Sequence, residues 1–161
     1  MTTTNGNTSK TQENLHSAFA GESMANRKYL YFASVARELG NEEVAKLFEK
    51  TAEEETGHAF AHLRLVHPPG TLTVEKLLEL AAEGELYETN EMYPTFQQEA
   101  VTEHEQAAAA EFAEQAEESR EHAERFLKML KRASKQFGAL GAVEKAHAQR
   151  YLDALEAVRQ G

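Results

Sequence analysis

Three short stretches of the chain carry a histidine suited to metal binding, and two of them set a glutamate three residues ahead of it. These are Glu55 with His58 in EETGHAF, and Glu144 with His147 in VEKAHAQRY. The third, SREHAERF, keeps His122 but has Ser119 in the glutamate's place. Residues three apart share one face of an α-helix, so a carboxylate oxygen and an imidazole nitrogen so spaced can reach one ion. Glu55 falls within the stripe of Phe48, Ala52 and Ala59, with His58 at its edge, and Glu144 and His147 relate likewise to Leu140, Tyr151 and Leu155. A carboxylate on a core stripe is costly unless it is paired or neutralised, and a metal ion removes that cost.

Two further segments add carboxylates: Glu85 and Glu88 in EGELYETNEMY, and Glu22 in GESMANRKY. Two Glu-x-x-His helices plus inward glutamates from two others form the arrangement that holds a carboxylate-bridged metal pair in a helical bundle. Each histidine binds one ion through a ring nitrogen. The oxygen-rich shell suits iron or manganese, with zinc as a substitute. Such a pair can hand two electrons to the O–O bond of a peroxide.

The elements that must position these residues read as helices throughout. Apolar residues recur at three-and-four spacing from about Thr11 to Leu39, where Gly40 ends the first helix and Asn41 caps the next. The second spans about Glu42 to Val66 and stops at HPPG. The third runs from about Thr73 past Tyr93, with Pro94 placed in a kinked helix, and the apolar pattern lapses at VTEHE. The fourth covers about Glu105 to Phe137, GALG interrupts, and a last helix covers about Ala142 to Arg159. The helical unit is repeated: a shift of 25 lays Phe112, His122, Phe126 and Leu130 on Phe137, His147, Tyr151 and Leu155. Long helices with short turns predict an all-α antiparallel bundle over residues 10–161, behind a flexible tail at residues 1–9.

Composition narrows the function classes. The chain has 161 residues and no cysteine, which excludes a disulfide framework, a thiolate zinc site and iron–sulfur clusters. A formal net charge of −10 argues against nucleic acid or an anionic membrane surface as a partner. No apolar run has the length of a signal or membrane segment, so a cytoplasmic protein is expected. Met24, Met92 and Met129 read as core filler, and most exposed-face glutamates, Glu118 among them, as solvated charge.

The wording of AFAGESMANRKYLYFA, EETGHAFAHL and AAEGELYETNEMYPTF closely resembles the rubrerythrin family of ferritin-like di-iron proteins, over about residues 10 to 100 and less regularly beyond. The resemblance implies a ferritin-like four-helix bundle with an additional C-terminal helix. It assigns iron ligation to Glu22, Glu55, His58, Glu85 and Glu88, with Glu22, Glu55 and Glu88 as catalytic carboxylates. Tyr29 and Tyr93 match family tyrosines that donate hydrogen bonds to such carboxylates. The implied activity is reduction of hydrogen peroxide to water at two iron ions. Without cysteines the chain resembles the stand-alone forms, which take electrons from an external redox protein, and a homodimer, with helix exchange as a variant, is expected. The alternatives are a ferritin-like iron-oxidising protein without peroxide turnover, and a helical interaction module whose metal site has decayed.

The fourth ligand helix is ambiguous. The family's spacing falls on Ser119 and His122, whereas the intact motif comes one repeat later, at Glu144 and His147. A straight hairpin turning near residue 103 brings His122 to the height of Glu88 and leaves Glu144 roughly twenty ångströms away, at about 1.5 Å per residue. The intact pair is favoured here on ligand chemistry, which requires a rearranged hairpin or an exchanged last helix.

Overall fold

The computed structural model describes residues 9–136 and, beyond them, helical Arg150, Tyr151 and Asp153. Every described element is helical, as the all-α, ferritin-like class requires, and the chain forms two compact units divided after Leu72. The expected last helix lies largely outside the described residues.

The first unit is a hairpin of α1 (Lys10–Glu38) and α2 (Glu42–Val66), followed by a 3₁₀ turn at Pro69–Thr71. Ser9 caps α1 by accepting the Gln12 N–H at 3.2 Å, and Asn41 caps α2 by accepting that of Val44 at 3.1 Å. Gly40, at φ +77°, makes the reversal between them, and its N–H reaches the Arg37 carbonyl. The seam between the helices is lined by small residues. Ala33, Ala36 and Ala45 are buried, with Val44 and Phe48 packed against them, so the backbones approach closely. Tyr29 and Phe32 both lay rings on Phe48, with centroids 5.9 and 5.5 Å away. Deeper along the hairpin the Asn26 amide donates to the Ala52 carbonyl at 2.7 Å and to the Thr56 hydroxyl at 2.9 Å.

The second unit contains α3 (Val74–Tyr87), a π-helical segment (Glu88–Met92), α4 (Tyr93–Thr102) and α5 (Gln106–Gln136). The first three form one continuous helical path, so the expected third helix does run through Pro94. Proline has no N–H for the carbonyl four residues back, and the path absorbs that loss by widening: the Tyr93 N–H bonds the Glu88 carbonyl, five residues back. The chain reverses over residues 103–105, where His104 takes φ +65°. This is the stretch in which the apolar pattern lapses. Ala82, Leu86, Ala123, Leu127 and Leu130 form the core, with Leu78, Phe126 and Tyr151 against it. Met24 and Met129 are exposed rather than core filler, because both point away from these small-residue seams.

Candidate metal centre

The first unit brings three donors together. Glu22 comes from α1, and Glu55 and His58 from α2; one ligand atom of each lies within 4.8 Å of the other two. His58 Nδ1 stands 2.9 Å from Glu55 Oε2, within the same helical turn. Ala52 and Ala59 are buried on either side of this turn, so the stripe read from the sequence is the face that carries Glu55. The Asn26 bonds hold α1 against α2 at Ala52 and Thr56, which bracket Glu55, and so fix the height of Glu22 opposite it. Nothing in the sequence pattern marked Asn26 or Thr56 for this task beyond their polar character on an otherwise apolar stripe.

The second unit gathers Glu85, Glu88, Ser119 and His122. His122 Nδ1 approaches Glu85 Oε2 at 3.4 Å, and the buried Ser119 hydroxyl donates to Glu88 Oε2 at 2.8 Å. The straight hairpin is therefore the observed one, and the histidine meets Glu85 one turn from the expected Glu88. A second cross-helix bond lies next to it: the buried Thr89 hydroxyl donates to the Ala116 carbonyl at 2.6 Å. The π segment is thus tied to α5 at two consecutive residues. Tyr93 packs against Phe112, with ring centroids 6.3 Å apart and planes tilted by 30°. Burial first, then the charges of Glu88, Glu85, Glu111 and Glu118, push its phenol above the usual tyrosine range, so it stays protonated.

Glu144 and His147 lie outside the described residues. Tyr151, which shares their helical face by spacing, packs against the core of the second unit and donates its hydroxyl to Glu83 of α3. Glu118 is exposed and makes no substitute for the carboxylate missing at Ser119.

The donors fit a hard or borderline cation. Metal–oxygen and metal–nitrogen bonds of about 2.0–2.2 Å place neighbouring ligands roughly 3–4 Å apart, so small side-chain rotations close the Glu22–Glu55–His58 group on one ion. Carboxylates grouped with imidazoles on packed helices make a candidate carboxylate–histidine metal centre. The comparisons then say of which family. The Rubrerythrin family matches residues 13–130, and the chain belongs to that family. It is 38% identical to nigerythrin of Nitratidesulfovibrio vulgaris, covering 73% of this chain and 64% of that one. It is 37% identical to a rubrerythrin of Porphyromonas gingivalis, covering 76% and 66% respectively. The chain thus spans just under two thirds of the length of these two relatives. Among solved structures, mixed-valence nigerythrin matches at 35% identity over 88% of this chain and 74% of the other, with a TM-score of 0.37. Another nigerythrin structure is of the fully reduced, all-ferrous protein. No described helix is long and apolar enough to cross a membrane.

Proposed function

We propose that this protein is a non-haem di-iron peroxidase of oxidative-stress defence, acting in the cytoplasm and reducing hydrogen peroxide to water with electrons from an external redox protein. The observation that carries the reading is the convergence of Glu22, Glu55 and His58 in a chain of the rubrerythrin family. The ligand set is Glu22, Glu55, His58, Glu85 and Glu88, completed from the C-terminal part of the chain. Intact spacing supports Glu144 and His147 for that role, and the approach to Glu85 supports His122.

Two bound irons would supply the two electrons that cleave the peroxide O–O bond. The protein's own residues set the conditions. The carboxylates of Glu22 and Glu55 in the first unit and of Glu88 in the second would hold the ions and balance their charge. Glu55 Oε2 and His58 Nδ1 stand 2.9 Å apart, so these are the two atoms that would turn to a shared ion. Tyr93, kept protonated by burial and the surrounding carboxylates, holds a proton at Oη beside the second group of donors. Water formation consumes two protons per peroxide, and a histidine or a protonated glutamate delivers them.

Stopped-flow mixing of the anaerobic ferrous protein with peroxide, and separately with dioxygen, tests the activity. Faster oxidation by peroxide is expected. Preference for dioxygen, with iron loading well beyond two per chain, would select a ferritin-like iron-oxidising protein instead. Ser119 favours one further reading, a decayed site, which predicts a protein purified without metal and not stabilised by it. Iron content of Glu144→Ala and His122→Ala decides the last ligand helix, since only the variant that removes a ligand loses an iron.

A further inference from the structure

Ser119 stands where the repeated motif elsewhere has glutamate, yet it is not idle. It is 4% exposed, and its hydroxyl donates to the Glu88 carboxylate across the hairpin. Glu88 opens the π segment, where the helical path is wider. Thr89, the next residue, is fastened to the Ala116 carbonyl, one turn before Ser119 on α5. Two side chains of the segment, the Thr89 hydroxyl and the Glu88 carboxylate, are therefore anchored separately, by neighbouring turns of the same helix.

We infer that Ser119 is a positioning residue for Glu88: its hydroxyl holds Oε2, sets the plane of the carboxylate, and leaves Oε1 to bind a metal ion. A glutamate at this place would add a ligand but could not donate when ionised. The serine supplies a donor instead, giving up one anionic ligand for a fixed orientation of another. A hydrogen bond between a buried hydroxyl and a carboxylate is of the stronger, charge-assisted kind. This inference rests on the reading of Glu88 as a metal ligand.

Anaerobic titration of the full chain with Co(II), followed by its visible absorption, tests it in four proteins: wild type, Ser119→Ala, Glu88→Gln and the double variant. The hydrogen bond's typical strength leads to about tenfold weaker binding at one position in Ser119→Ala. It also leads to an altered cobalt band and to no further loss when Ser119→Ala is added to Glu88→Gln. Wild-type affinity in Ser119→Ala, or an equal loss in the Glu88→Gln background, would overturn the positioning role while Glu88 stood as a ligand. Unchanged cobalt binding in Glu88→Gln itself would remove the ligand reading, and this inference with it.

Discussion

The two units solve the same problem with different partners. In α2 the glutamate and histidine of one turn bond each other, Glu55 to His58, and the facing helix contributes Glu22. In α5 the corresponding pair is Ser119 and His122, and both turn to the facing helix, to Glu88 and Glu85. Replacing a carboxylate by a hydroxyl removes the acceptor that would hold the histidine within its own helix. His122 instead meets Glu85 across the hairpin, at 3.4 Å. A carboxylate at the i−3 position thus goes with a contact within the helix, and a hydroxyl there with contacts between helices.

Rewriting the second pattern as the first gives the largest expected effect. Ser119→Glu buries a second carboxylate against Glu88, an unpaired charge that costs on the order of 3 kcal/mol. The metal-free protein should then melt about 6–12 °C lower. Co(II) should restore most of that loss by adding the counter-charge, and a thermal melt with and without cobalt reads both. A metal-free variant as stable as wild type would show that the two patterns are interchangeable without metal.

The hydrogen bonds that pin each hairpin should matter next, and unequally. Asn26→Ala removes two bonds between α1 and α2, and Thr89→Val removes one between the π segment and α5. At about 1 kcal/mol per bond, denaturant unfolding should give a loss near 2 kcal/mol for Asn26→Ala and half that for Thr89→Val. Equal losses would mean that widening the helix at Glu88–Met92 makes its single tie worth more.

The smallest effect is a pH dependence confined to the second unit. Tyr93 holds its proton more tightly in the folded chain than in the unfolded one, chiefly through burial. Its contribution to stability is complete below the unfolded pKa of about 10 and is lost as pH rises through the folded value. Melting temperature followed from about pH 9 to 12 should therefore fall less steeply in Tyr93→Phe than in wild type. Parallel slopes would remove Tyr93 from the carboxylate cluster.

Much of this was legible beforehand, for reasons that differ by residue. Gly40 and Asn41 announced the first hairpin because a left-handed turn and an N-cap each demand a narrow choice of residue. Glu55 and His58 were legible because a carboxylate on an alanine stripe contradicts the pattern around it. Ser119 read as a loss, since the sequence displayed the missing ligand but not the partner its hydroxyl would find 31 positions away. The π segment was hidden as well. Its cause, Pro94, was visible, but a proline can kink, break or widen a helix, and the local sequence does not choose among these.

By itself the sequence determined the described helices, the Gly40–Asn41 turn and cap and the family, and it marked Glu22, Glu55, His58, Glu85 and Glu88 as candidate donors, because each depends on local spacing and on what a helix face can bury. Only the tertiary structure decided that His122 faces Glu85, that Ser119 holds Glu88, and that Asn26 and Thr89 tie their hairpins. Those pairings depend on where the chain reverses and how much the π segment shifts the register. Such quantities accumulate along a helix at a fixed rise per residue, so one widened turn moves every later contact.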